Sequence, residues 1–277
     1  MPAINSTDSD YNKENTHLYN LSIQVGLDGF SFVIKEREKG NIRRFFSNSY
    51  TRDTVNDNTL TDAVERDIRV NPELTFPYNK ITIYYESQHY LLIPTDVFEK
   101  EKARQLLEIM HPLNELDEIH FHDIPSIQST LVYTVHTEIL ALLTNTLPKT
   151  AQVLCTADYF FNLPLESNLK DKVLYAQVYN DYVNIAYTEN GKPLLVNTYR
   201  YTNDNDFVYH LLNIIKQQEA EKQAISIIFE GKLTRLSNVY RLVNRFSEAD
   251  LADITAIVAP ESLTATSKSK FYSLLKS

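Results

Sequence analysis

From Leu21 to Ile34 apolar and polar residues alternate through LSIQV and FSFVI, with Asp28-Gly29 breaking the alternation. A period of two is that of a strand with one buried face, and an Asp-Gly pair between two such runs predicts a β-hairpin. A third strand, IRRFFSNSY, is expected after the turn at Lys39-Gly40. The period then changes: Leu60, Val64 and Ile68 recur at four-residue spacing, predicting a short helix over Asn58 to Val70 that Pro72 and Pro77 keep from continuing. KITIYYES and HYLLIP return to strand patterning. Pro94-Thr95-Asp96 opens a predicted helix to about Met110, with Phe98, Ala103, Leu106, Leu107 and Met110 as its buried stripe.

Strands and helices then alternate. EIHFHDI and TLVYTV read as strands, His136 to Leu147 as a helix stopped by Pro148, AQVLC as a strand, and Asp158 to Leu163 as a helical turn. Such alternation predicts βαβ units and an α/β fold. A polar bridge, LESNLKDK, leads to VLYAQVYNDYVNIAY, a second hairpin, and KPLLVNTYRY, a strand after the turn at Asn190-Gly191. Asn203 is the expected N-cap of the next helix, with Asp206 as its capping-box partner. AISIIFEG is a strand, and LSNVYRLVNRF a helix with Leu236, Val239, Tyr240, Val243 and Phe246 inward. DITAIVA is the last strand, and SKSKFYSLLKS a short docking helix or a loose tail.

The second hairpin echoes the first. At one constant offset Leu21 meets Leu174, Gln24-Val25 meets Gln177-Val178, and Asp28 meets Asp181. Each hairpin is followed by a glycine turn and a third strand with an Asn and a Tyr, Asn48 and Tyr50 in one, Asn197 and Tyr199 in the other. Internal repetition outranks any single motif in fixing a fold. We expect two subdomains: a disordered tail over residues 1–17, a first subdomain over 18–170 with a small inserted βαβ unit at about 117–165, and a second over 171–277.

Composition narrows the function. A net charge of −9 and a pI near 5.3 disfavour nucleic acid, which needs a basic face. The single cysteine excludes an intramolecular disulfide and fits a reducing, cytoplasmic setting. The first residues are polar, with no apolar core to make a signal or anchor, and no run approaches the roughly 20 apolar residues of a membrane helix. The five glycines are few, where average usage of about 7% gives roughly nineteen. A chain that wraps backbone amides around phosphates needs glycine in several loops.

Hairpin, third strand, helix, strand, helix, strand, given twice, resembles the actin-like ATPase superfamily. LVYTVHTEILALLTNTLPKTAQVLCTADYFFNLPL is similar to the small inserted subdomain of pilus-assembly members of that superfamily. NLSIQVGLDGFSFVI, HYLLIPTDVFEKEKA and KPLLVNTYRYTNDNDFVYHLL resemble an uncharacterised Bacteroidetes family of about this length, with no assigned activity. The resemblance covers roughly Leu18 to Val258. It implies a duplicated ribonuclease H-like α/β fold, two subdomains with mixed five-stranded sheets, and nucleotide bound in the cleft between them in active members.

In active members the first hairpin carries D-x-G, whose acid works through a metal and water while turn amides bind phosphate. Here that triplet is Gln24-Val25-Gly26, and a neutral amide lacks the anionic oxygen that Mg²⁺ favours. The second hairpin of active members repeats an acid with glycines; here it reads Gln177-Val178-Tyr179-Asn180. Their adenosine loop has a glycine pair, of which only Gly231 remains. The resemblance therefore implies a degenerate cleft made of Gln24, Gly26, Asp28, Gln177, Tyr179, Asp181 and Gly231, with no catalytic residue, cofactor or metal. The expected function is a non-catalytic binding or assembly module with a protein partner, and the alternative is an atypical ATP-binding protein using the interdomain cleft.

Other candidates have plainer readings. Asp28 and Asp181 could ligate a metal, but aspartate also forms turns by bonding its own backbone. Glu118, His120 and His122 share one strand face, with Asp123 near, as metal ligands or as a half-exposed strand would. Cys155 closes an apolar strand, as a nucleophile or a buried thiol. Lys232, Arg235, Arg241 and Arg245 could bind an anion beside Gly231 or form a solvated helix face. The 18 tyrosines, many on strands, fit either a binding surface or plain strand propensity.

Overall fold

The computed structural model describes residues 3–51, 55, 59–148, 151–162, 171–218, 225–253 and 257–277. The chain divides into two compact units, one of Met1–Asp158 with Val258–Ser262 and Ser277, the other of Tyr159–Ile257 with Leu263–Lys276. Residues 165–170 of the expected polar bridge, the start of the first predicted helix at Asn58, and residues 254–256 of DITAIVA lie outside the described residues.

The first unit holds β1 (Ile4–Thr7), β2 (Tyr19–Gly26), β3 (Gly29–Glu36), β4 (Ile42–Ser49), α1 (Leu60–Arg69), β5 (Lys80–Tyr85), β6 (Tyr90–Pro94), α2 (Ala103–Met110), β7 (Asp117–Ile124), β8 (Ser129–His136), α3 (Thr137–Thr146) and β9 (Gln152–Cys155). Its main sheet has the order β1-β4-β3-β2-β5-β9. Strands β1 to β4 pair antiparallel, whereas β5 runs parallel to β2 and β9 parallel to β5. Leu21, Ile23 and Val25 alternate onto one face of β2, where Leu60 and Val64 of α1 and Ile139 and Leu143 of α3 complete the core.

Three expectations need correction here. The N-terminal stretch expected to be disordered forms β1, paired from Ile4 opposite Ser47 to Thr7 opposite Arg44. Only Ile4 of that strand is apolar, so no pattern announces it; backbone pairing and polar anchors hold it instead. Arg43 bonds Asp8 at 2.9 Å, and the buried Arg44 bonds Asn5 and pairs with Glu73 at 2.8 Å. The expected βαβ insertion is instead an antiparallel sheet of order β6-β8-β7, beginning at Tyr90 and packed against α2 through Ile93, Ala103 and Val132. The physical reason is the connection: β7 reaches β8 through the short turn Pro125–Ile127 and Gln128, and so tight a link permits only antiparallel pairing. α3 and β9 then return to the main sheet. The predicted helix from Thr95 is also shorter, with single 3₁₀ turns at Thr95–Val97 and Lys100–Lys102 before α2.

The second unit holds α4 (Tyr159–Asn162), β10 (Lys172–Val178), β11 (Tyr182–Glu189), β12 (Lys192–Arg200), α5 (Asp204–Gln217), β13 (Ile225–Gly231), α6 (Asn238–Val243), β14 (Glu248–Leu251), α7 (Ala265–Lys270) and α8 (Tyr272–Lys276). Its five strands are ordered β12-β11-β10-β13-β14, with the same pairing senses as β4-β3-β2-β5-β9. The duplication read from two hairpins thus extends through both sheets, and the first carries β1 as an added edge. Asn203 caps α5 by accepting from the N–H groups of Asn205 and Asp206, while Asp206 accepts from Thr202 N at 3.1 Å. Leu236, expected inward, is 85% exposed because α6 starts only after Ser237. Among the described residues the last strand is Glu248–Leu251. Among the described residues no helix is long and apolar enough to cross a membrane.

Candidate functional site

In the first unit β2 runs between β3 and β5, which brings Gln24 to the C-terminal end of two parallel strands. Its Nε2 donates to Glu86 Oε1 at 2.7 Å, just past the end of β5. Gly26 packs on that same carboxyl: a Cβ there would stand 2.2 Å from Glu86 Oε2 and 2.4 Å from Glu86 Cβ, closer than atoms approach. Gly29 closes the two-residue turn with φ +156, and a Cβ on it would lie 2.4 Å from the Asn48 carbonyl oxygen. Asp28, in that turn, is buried, and its carbonyl accepts from Tyr50 N at 3.0 Å. Opposite Gln24 stands Ser31, whose hydroxyl bonds Ser47 at 2.8 Å, so a polar row crosses the sheet.

The second unit repeats this arrangement with more partners. Gln177 Nε2 donates to Glu230 Oε1 at 2.6 Å, and Gln177 Oε1 accepts from Tyr179 Oη at 2.8 Å and Asn184 Nδ2 at 3.2 Å. Asn184 Oδ1 in turn accepts from Thr198 Oγ1 at 2.7 Å. Ser273 of α8 donates its hydroxyl to Glu230 Oε1 at 2.5 Å. Burial pushes the Glu230 carboxyl up from 4.5 to about 7, against the opposing pull of its bonds from Ser273 and Gln177. Gly231 has φ +92 and lies so near β10 that a Cβ would meet the Val178 carbonyl oxygen at 2.2 Å. The Tyr179 ring stacks on Tyr182 at 4.3 Å and 11°, and its carbonyl accepts from Tyr201 Oη at 2.6 Å. Asp181 matches Asp28 in one bond: its carbonyl accepts from Tyr201 N at 2.9 Å.

The structure therefore gathers Gln24 and Gly26 around Glu86, and Gln177 and Tyr179 around Glu230, with Gly231 next in sequence. It puts Asp28 and Asp181 in the turns, where their backbone carbonyls hold the third strands. That bond also corrects the alignment of those strands. Ser47 answers Thr198, so Tyr50 answers Tyr201 rather than Tyr199; the hairpins share one offset, and the third strands are shifted by two residues. Asn48 and Tyr50 both donate to Asp67 of α1, at 2.9 and 2.6 Å, and burial raises that carboxyl above its usual range.

Sequence reasoning missed Glu86, Glu230 and Ser273. The carboxyls had a signal: ITIYYE at Ile81 and ISIIFE at Ile225 share Ile, Ile and Glu, with Thr against Ser, so the repeat reaches into the parallel strands. Ser273 had none, since it is one of several serines in the stretch SKSKFYSLLKS.

The remaining candidates are dispersed. His122 Nε2 meets Asp158 Oδ1 at 2.6 Å and His120 Nε2 meets Glu118 at 3.2 Å, and among the described residues no three His, Cys, Asp or Glu side chains form a metal cluster. Cys155 is fully buried, and burial pushes its thiol up to about 12, which leaves little thiolate. Arg235 pairs with Asp250, Lys232 bonds Asn180 at 2.7 Å, and Arg241 and Arg245 are exposed.

The family described as a protein of unknown function, DUF3822, matches residues 8–249. A crystal structure of a Bacteroides thetaiotaomicron protein with actin-like ATPase fold and unknown function is similar at TM-score 0.80 and 21% identity, covering 96% of this chain and 99% of that one. The PilM-PilN type IV pilus biogenesis complex contains a chain similar at TM-score 0.64 and 10% identity, covering 94% and 98%. No curated protein matches. At these identities the likeness shows the fold, an actin-like α/β duplication.

Proposed function

The chain belongs to the DUF3822 family, and we propose that it is a non-catalytic protein of actin-like fold serving as a binding or assembly module for another protein. The observation that carries this reading is the matched pair of contacts, Gln24 with Glu86 and Gln177 with Glu230. A hairpin that holds Mg²⁺ needs an acid, and each half offers a neutral amide whose N–H is committed to a carboxyl one strand away. In the second half Tyr179 and Asn184 also take up the amide oxygen.

Support for a protein partner is an analogy of fold, from the PilM-PilN complex. The single cysteine and the acidic charge favour the cytoplasm as the setting. A thermal-shift titration with Mg-ATP tests the reading. Unchanged melting at millimolar nucleotide is expected; a saturable rise of several degrees would overturn it in favour of an atypical ATP-binding protein.

A further inference from the structure

The Glu230 carboxyl is held by two neighbours of different standing. Gln177 belongs to the sheet, whereas Ser273 belongs to a C-terminal segment that follows the last strand. Within that segment Leu263, Tyr272, Leu274 and Leu275 are buried, and Ser273 gives both its hydroxyl and its backbone N–H to Glu230. Its two helices, α7 of six residues and α8 of five, are too short to persist alone, so they depend on those contacts. The segment thus lies on the carboxyl that terminates β13, beside the glycine that lets the chain pass close to β10.

We propose that Leu263–Lys276 is a releasable strap closing the strand end at Glu230, an autoinhibitory occupant that any ligand of that strand end must displace. This rests on the reading above, that the chain is a binding module, and adds one premise, that its ligand binds where the parallel strands end. The release is coupled to protonation. Under the strap the carboxyl is dry and titrates at about 7; uncovered, it returns towards its usual 4.5. Docking is therefore favoured at low pH and loosens as the carboxyl ionises and seeks water.

The groups acting on Glu230 are neutral: the Gln177 amide from β10 and the Ser273 hydroxyl and N–H from α8, with the Tyr179 phenol one bond further out. The charges nearby have other partners. Lys268 bonds the Ile257 carbonyl, Lys270 and Lys276 lie over the rings of Phe271 and Tyr272, and Asp250 of β14 pairs with Arg235.

Hydrogen exchange on the full chain, corrected for intrinsic rates, tests this. Between about pH 6 and about pH 8, amide protection across the strap should fall about tenfold while β10 and β13 stay protected. In Glu230→Gln the strap's pH dependence should vanish, and Ser273→Ala should loosen the strap alone at both pH values. Strap amides that open only together with β13 would overturn the proposal, as would an unaltered pH dependence in E230Q or a Ser273→Ala variant indistinguishable from wild type. The nucleotide titration is decided separately, since a strap can release in a protein that binds no ATP.

Discussion

Glu230 is an acid held in a place that suits its neutral form, and the sign of its effect on stability follows. Its folded pKa, about 7, lies above the 4.5 of an ordinary glutamate, so the folded chain binds the proton more tightly than the unfolded one. Its contribution is fully present below about pH 4.5 and is lost as pH rises through about 7, a swing of the order of 3 kcal/mol. Glu230→Gln keeps the shape and removes the charge. Urea unfolding should find it more stable than wild type at pH values above about 7, with the advantage shrinking on acidification; a variant destabilised across the whole range would show that the carboxylate itself is needed. Gly231→Ala acts through sterics at the next residue. With φ at +92 and the Val178 oxygen 2.2 Å from the new methyl, it should lose about 2–4 kcal/mol, read as a lower urea midpoint with an unchanged slope. The glutamines and glycines of this site were legible in the sequence, because they belong to a hairpin. Their carboxyl partners are marked only by the likeness of ITIYYE to ISIIFE, and their contact with the glutamines was not legible, because 62 and 53 residues separate the partners and only pairing in the sheet brings them together.

At the scale of elements, the hairpins, the helices that cover them and the parallel strands follow from period and turn chemistry. The elements that escaped are those held by something other than an apolar stripe. β1 is the clearest: its side chains are nearly all polar, and what binds it is a ladder to β4 and the guanidinium of Arg44, buried with Glu73 and Asn71. Arg44→Ala would leave Glu73 buried without its cation and should cost about 3–5 kcal/mol. Exchange of the β1 amides should rise at the same time, and full protection of β1 in that variant would mean that the backbone ladder suffices. The antiparallel sheet of β6, β7 and β8 escaped for another reason. Strand sense is set by the length of a connection, and although EIHFHDI and TLVYTV sit in an alternation with helices, only a tight turn separates them.

Across the whole molecule, duplication is the feature that organises the rest. Two sheets of the same order each place a glutamine at the end of the strand after which the hairpin turns, and each sets a glutamate at the end of the adjacent parallel strand. The pairs are matched in chemistry as well as position, so both halves build the same amide–carboxyl contact at the same strand end. The carboxyl stands on the neighbouring strand, and the amide serves as its donor. Placing acids at these two positions therefore should not create nucleotide chemistry. In Gln24→Asp and Gln177→Asp a second carboxyl would face the first with no cation between them. Each pair would share a proton or repel, raising one pKa and costing about 1–3 kcal/mol, more at higher pH. Phosphate release from Mg-ATP by the double variant should remain at background. Turnover appearing in Q24D/Q177D would mean that the glutamines alone had silenced a working site, whereas loss of stability without turnover would mean that the surrounding residues have been rebuilt around an amide.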